Sequence, residues 1–153
     1  MNVFSGVALL LLGSSMLLHA EGSRCVAGFH SHGRSCYWFS DMTGTFAEAR
    51  SVCQFFGARL VIVNGRAEDD FIRGYARGKA SAYFIGGSDL AREGRFVWEG
   101  GRPFAGGYQN WGSGQPDNYK GGEDCLVIWD AVGYRWNDAT CSHKHNFICE
   151  ISK

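Results

Sequence analysis

The sequence has no Cys-x-x-Cys pair and no Asn-x-Ser/Thr sequon, and it uses proline only twice, at Pro103 and Pro116. The first absence argues against a zinc knuckle or a thioredoxin-type redox site, and the second leaves no acceptor for N-glycosylation. Net charge is missing as well: Lys plus Arg number 15 and Asp plus Glu number 15. Such a balance lacks the basic footprint of a nucleic-acid binder and the polybasic patch of a membrane-surface protein. Apolar runs long enough to suggest a membrane are confined to the first 20 residues, at 7–12 and 16–18, where Lys, Arg, Asp and Glu do not occur.

That stretch is too short for a span and reads as a secretory signal. Cleavage after Gly22 leaves small residues at Ala20 and Gly22, whereas cleavage after Ala20 puts Leu18 at the outer position. The first is preferred, giving a signal at 1–22 and a domain at 23–153. The mature chain is then expected to be secreted and extracellular, without membrane insertion. Its length of about 130 residues is that of one domain with one core.

What is present begins with six cysteines: Cys25, Cys36, Cys53, Cys125, Cys141 and Cys149. An even count in a secreted chain implies three disulfides, although six cysteines allow 15 pairings and the sequence does not choose among them. "SCYWFS" (35–40) reads as a strand. "TFAEARSVCQFFG" (45–57) reads as a helix with a capping box, Thr45 and Glu48, and places Phe46, Ala49, Cys53 and Phe56 on one face. "RLVIV" (59–63) is a strand. A second helix is expected over 64–78, capped by Asn64 and with Phe71, Ile72 and Tyr75 toward the core. "AYFIGG" (82–87), "CLVIW" (125–129), "YRW" (134–136) and "HNFICEI" (145–151) are further strands.

Eleven of the 22 glycines fall between Gly86 and Gly122, among tryptophans and without apolar periodicity. A long aperiodic stretch inside a compact domain is a functional loop or disorder, and the flanking cysteines favour the loop. Runs of strands and two helices in this order make the fold α+β.

The loop ends in "GQPDNYKGGEDC" (114–125). Gln115, Asp117 and Glu123 lie within nine residues, and "WND" (136–138) adds Asn137 and Asp138. A single loop acid is ordinarily just solvated. Five oxygen donors in two segments, mixing carboxylates and amides, are the chemistry that calcium selects. Three carboxylates around a dication leave a charge near −1, and the amides complete the set without further repulsion.

The segments "CVAGFHSHGRSCYWF", "FAEARSVCQFFGARL", "FIGG", "QPD", "GGEDC", "WND" and "FICE" together resemble a C-type lectin domain over 25–149, most like the perlucin-type lectins of molluscs. The resemblance implies antiparallel sheets, two helices and a long structured calcium-binding loop. It also implies the disulfides Cys25–Cys36, Cys53–Cys149 and Cys125–Cys141; closing the longest loop would restrict the unfolded chain by about 4–5 kcal/mol. Carried over by position, the principal calcium site falls on Gln115, Asp117, Glu123, Asn137 and Asp138, with Pro116 as the proline that is cis in this family. An auxiliary site falls on Asp89, Glu93 and Asn118, bridged by Glu123. Two vicinal sugar hydroxyls would complete the principal calcium shell. The Gln-Pro-Asp order resembles the galactose-type site, and Tyr119 stands where galactose binders often stack a tryptophan. The longer glycine-rich insertion of strong galactose binders is absent, which leaves mannose-type ligands open.

The remaining candidates have plain structural readings. His143 and His145 form an H-x-H pair without a third zinc ligand and are expected at the surface, as are His30 and His32. The five tryptophans are expected to support the core and the loop. Adjacent Glu123 and Asp124 point apart in an extended segment and make a poor acid–base pair, so no enzyme is expected. The reading is a secreted, calcium-dependent lectin for terminal galactose or related glycans, acting in innate immune recognition of microbial surfaces. The alternative is a shell-matrix or biomineralisation protein using the same fold. Multivalent capture would need a non-covalent homo-oligomer, since no spare cysteine or coiled coil is present.

Overall fold

The computed structural model describes residues 25–80 and 82–153, so the expected signal at 1–22 lies outside the described residues. The elements run β1 (His30–His32), β2 (Ser35–Phe39), α1 (Phe46–Phe55), β3 (Arg59–Leu60), α2 (Arg66–Ala76), β4 (Ala82–Ser88), β5 (Val97–Trp98), β6 (Cys125–Trp129), β7 (Arg135–Ala139) and β8 (Asn146–Ser152). The strand path is β1-β2-β8-β4-β6-β7, with β3 added on β8 and β5 on β4. This is the expected α+β architecture, with one correction: β4 and β8 pair in parallel, Tyr83 beside Asn146 and Phe84 beside Phe147. β1 and β5 are too short to signal themselves by alternation.

Side chains alternate across the sheet and divide its two faces. Ala82, Phe84, Val127, Phe147 and Cys149 pack with Phe46, Ala49 and Cys53 of α1. Tyr83, Ile85, Leu126, Ile128, Ile148 and Trp136 pack with Ile72 and Ala76 of α2 and with Phe96, Trp98 and Phe104 from the long loop. The second face therefore depends on the loop for part of its core. Gly87 shows how close that packing is, because a Cβ there would lie 2.5 Å from the Phe104 ring and 2.8 Å from Leu126.

The capping box of α1 is formed: Thr45 Oγ1 accepts from Glu48 N at 3.3 Å, and Glu48 accepts from Thr45 N at 2.8 Å. α2 starts later than expected. Its N-cap is Gly65, not Asn64, and no side chain caps it. Asn64 instead donates its amide to Ile62 O, while Glu68 accepts from Asn64 N at 2.8 Å and closes the turn from inside the helix. β3 is also shorter than the expected 59–63. Past Leu60 the backbone turns to other partners: Val61 N donates to Ile148 O, and Ile62 N donates to the buried Glu150 carboxylate.

Three disulfides, Cys25–Cys36, Cys53–Cys149 and Cys125–Cys141, join the same cysteines that the family resemblance implies. Cys53–Cys149 ties α1 to β8 through the core, and Cys125–Cys141 ties the end of the long loop to the segment following β7. Among the described residues no helix is long and apolar enough to cross a membrane.

Candidate functional site

The long loop is fastened to the sheet by β7 and by one buried acid. Trp136 N donates to Asn110 O at 2.9 Å, and Gly112 N donates to Trp136 O at 2.8 Å. Asp69, fully buried in α2, accepts from Trp136 Nε1 at 2.9 Å, from Asn110 Nδ2 at 2.6 Å and from the Tyr108 hydroxyl at 3.2 Å. Burial raises the Asp69 pKa, and the hydrogen bonds with Trp136 and Asn110 and the charge of Arg73 act against that rise. The sequence marks Asp69 only as an acid in the first turn of a helix. Its role depends on contacts made 39 to 67 residues away, which no local signal announces.

From this anchor the loop runs to Gln115–Pro116, whose peptide bond is cis. Asp138, buried on β7, accepts from Asp117 N at 3.1 Å and from Asn118 N at 2.7 Å. Glu123 accepts from Tyr119 N at 3.1 Å, and its own N–H donates to Asn118 Oδ1 at 3.1 Å. These bonds bring carboxylate oxygens of Asp117, Glu123 and Asp138 within 4.8 Å of one another. Neighbouring carboxylates repel, and the electrostatics reflect it. Burial raises the Glu123 pKa first, the Tyr119 N–H opposes, and the charges of Asp138 and Asp117 raise it further.

The orphaned atoms are more telling. Among the described residues, three buried side-chain oxygens or nitrogens have no hydrogen-bond partner: Gln115 Oε1, Asn137 Oδ1 and Asp89 Oδ1. A buried polar atom without a partner costs about 1–3 kcal/mol, so three at neighbouring acids point to something the fold expects there. Asn137 has turned its amide nitrogen toward Asp138 O, which leaves its oxygen free. Three carboxylates with two free amide oxygens are a set of hard oxygen ligands suited to a hard dication.

Asp89 belongs to a second cluster, which holds an acid the sequence reading left out of that site: Asp89 and Glu93 are joined by Asp124. Asp89 sits just past the end of β4, where its N–H donates to Asp124 O at 3.1 Å; one carboxylate oxygen accepts from Gly94 N at 2.7 Å and the other is the orphan. Asn118 Oδ1 is taken by the Glu123 N–H. Glu123 and Asp124 do point apart, and that divergence sends each to a different acidic cluster. Burial raises the Asp89 pKa; the Gly94 N–H opposes, and the charges of Glu93 and Asp124 add to the rise.

The first cluster opens into a cleft of about 350 Å³. Gln115, Asp117, Glu123 and Asn137 line it together with Tyr119, which is 63% exposed. Two expectations fail in the same cleft. Trp129 is not a core support but 36% exposed and reaches the cleft, and His145, which also lines it, is partly buried, while His143 is exposed as expected. Burial lowers the His145 pKa, and the nearby His143 lowers it further. His32 is also more than a surface residue, since its ring stacks on Phe71 at 4.3 Å. The other tryptophans serve as expected, with Trp98 and Trp136 buried in the core.

Comparison with known proteins gives consistent matches. The family model described as Lectin C-type domain matches residues 42–151. Perlucin from Haliotis laevigata is 48% identical over 129 residues, covering 82% of this chain and 82% of that protein. Asialoglycoprotein receptor 2 from Mus musculus is 36% identical over 82% of this chain, which spans only 42% of the receptor. Among solved structures, the mouse scavenger receptor C-type lectin carbohydrate-recognition domain superposes with a TM-score of 0.78 at 33% identity, covering 84% of this chain and 97% of that one.

Proposed function

Because this chain belongs to the C-type lectin domain family, we propose that it binds glycans in a calcium-dependent manner at the cleft formed by Gln115, Asp117, Glu123, Asn137 and Asp138. It is a carbohydrate-binding type of protein and not an enzyme. The observation that carries the proposal is the pair of orphaned oxygens, Gln115 Oε1 and Asn137 Oδ1, beside three clustered carboxylates. Calcium, when bound there, supplies open coordination positions for two vicinal hydroxyls of a sugar.

The residues of the chain do the rest. The Gln115 amide can donate a hydrogen bond to a hydroxyl oxygen, while the Asp117 carboxylate can only accept one. A sugar whose adjacent hydroxyls are presented with the matching polarity is therefore selected, and the Gln-Pro-Asp order favours galactose-type over mannose-type ends. The exposed Tyr119 ring offers an apolar face to the sugar. Likeness to a receptor named for asialoglycoproteins points the same way, to a neutral glycan end. Asp138 holds the loop backbone at Asp117 and Asn118, so it both contributes a ligand and shapes the site. The cluster of Asp89, Glu93 and Asp124 would hold a second calcium that steadies the loop from its other side.

Three disulfides and the apolar residues of 1–22 support secretion with a mature domain at 23–153. Glycans on microbial surfaces are the targets this fits, and such weak single sites would act through non-covalent assembly of several copies. A glycan array probed in calcium and again with chelator tests the proposal. Binding of galactose-terminated glycans only in calcium supports it; binding that ignores the chelator, or no glycan binding, rejects it.

A further inference from the structure

The cleft does not end at the cation ligands. Its floor is made of small side chains, Ala82, Val127 and Ala139, on adjacent strands β4, β6 and β7. Val127 lies directly opposite Asn137, and Trp129 follows two residues later on the same face of β6. A strand advances about 3.4 Å per residue, so Trp129 stands roughly 7 Å past the Val127–Asn137 pair. Trp129 belongs to neither core cluster, and its indole N–H makes no hydrogen bond among the described residues.

The histidines border the same cleft. His145 is fixed edge-on against Phe84, with ring centroids 5.0 Å apart, and His143 lies 6.4 Å from His145. Neither imidazole uses its nitrogens in a hydrogen bond among the described residues. A neutral imidazole has one donor and one acceptor, which suits a sugar hydroxyl or acetamido group. An exposed indole beside two unused imidazoles has the chemistry of a saccharide site: an aromatic face for ring C–H groups and directional polar atoms around it.

We propose that Trp129, His143 and His145 form a second subsite for the sugar adjoining the terminal residue, so that galactose-terminated disaccharides bind more tightly than the monosaccharide. This rests on the terminal residue being held at the calcium cleft as proposed above. Trp129 stacks on the second ring, and the two histidines bond its polar substituents.

Titration calorimetry with methyl β-galactoside and N-acetyllactosamine, both in calcium, tests it through the ratio of the two affinities. One aromatic contact of about 1 kcal/mol corresponds to a preference of about five- to tenfold for the disaccharide. Trp129→Ala should bring the ratio to about one, Trp129→Phe should keep most of the preference, and His143→Ala should lower it in part. The last two variants retain a readout if Trp129→Ala does not fold. A wild-type ratio of about one, or a ratio indifferent to Trp129 and His143, overturns the subsite while leaving the calcium cleft standing. Binding of neither sugar by the wild-type protein overturns the calcium-cleft reading and the subsite with it.

Discussion

Asp138 Oδ2 accepts from Asn118 N at 2.7 Å while Asp138 Oδ1 accepts from Asp117 N at 3.1 Å, so one strand carboxylate grips two successive backbone groups of the long loop. The loop residues proposed to meet calcium are thus positioned by a residue that would itself be a ligand. Asp138→Ala removes both roles together. Calcium affinity measured by calorimetry should fall by about 100-fold, and the calcium-free protein should also melt at a lower temperature, because two loop N–H groups lose their acceptor. A variant that keeps its affinity would show that Asp138 neither meets the ion nor positions the loop residues that do.

The order of amide and carboxylate around Pro116 gives a second prediction. Gln115→Glu combined with Asp117→Asn exchanges donor and acceptor at two positions while keeping the number of carboxylates. Calcium binding should persist, and preference on a glycan array should move from galactose-type toward mannose-type ends. An unchanged preference would place selectivity elsewhere in the cleft, with Tyr119 the next residue to replace.

A third prediction concerns pH. Burial and then the neighbouring Asp138 and Asp117 charges raise the Glu123 pKa, so Glu123 keeps its proton to higher pH than an ordinary glutamate. Calcium requires the ionised form. Apparent calcium affinity should therefore decline on acidification beginning above the usual carboxylate range. In the calcium-free protein the linkage has the opposite sign: with the folded pKa above the unfolded one, the contribution of Glu123 to stability is lost as pH rises through the folded pKa. Calcium titrations at neutral and mildly acidic pH, paired with denaturant melts in chelator, read both signs. Equal calcium affinity at the two pH values would contradict the first.

Asp69 provides a prediction on stability. Its replacement by Ala leaves the donors of Trp136, Asn110 and Tyr108 without their acceptor, in a region where Asp69 and Trp136 are fully buried. Stranded buried donors and the loss of the Arg73 partner should cost about 3 kcal/mol in denaturant unfolding. The loop should loosen with it, lowering calcium affinity although Asp69 touches no proposed ligand. A cost below about 1 kcal/mol would mean that water replaces the carboxylate.

Much of this arrangement is legible in the sequence, and most of the exceptions share a physical cause. The capping box at Thr45, the continuous apolar runs around Phe84 and Val127, and the oxygen donors at Gln115 to Asp138 are local patterns, and local patterns can be read. Asp124 enters the sequence reading only as a poor acid–base partner for Glu123. Its partners Asp89 and Glu93 come from the end of another strand, and only the β4–β6 pairing brings them together. Trp129 closes an apolar run that reads as buried, yet it pairs with Ala82, the first residue of β4, where the sheet gives it no cover. Asn64 looks like a helix cap, but Glu68 closes that turn from within the helix and Gly65 takes the cap position. For Asp124 and Trp129 the chemistry of the residue is readable and the neighbour that decides its role is far away in the chain, whereas Asn64 is overruled by a competing acid four residues on.

The most direct test of the central claim is retention on immobilised galactose. The protein should be held in the presence of calcium, released by chelator, and held again when calcium is restored, while Asp117→Ala should fold normally and flow through. Retention that survives chelation, or an Asp117→Ala protein held as firmly as the wild type, would contradict the account.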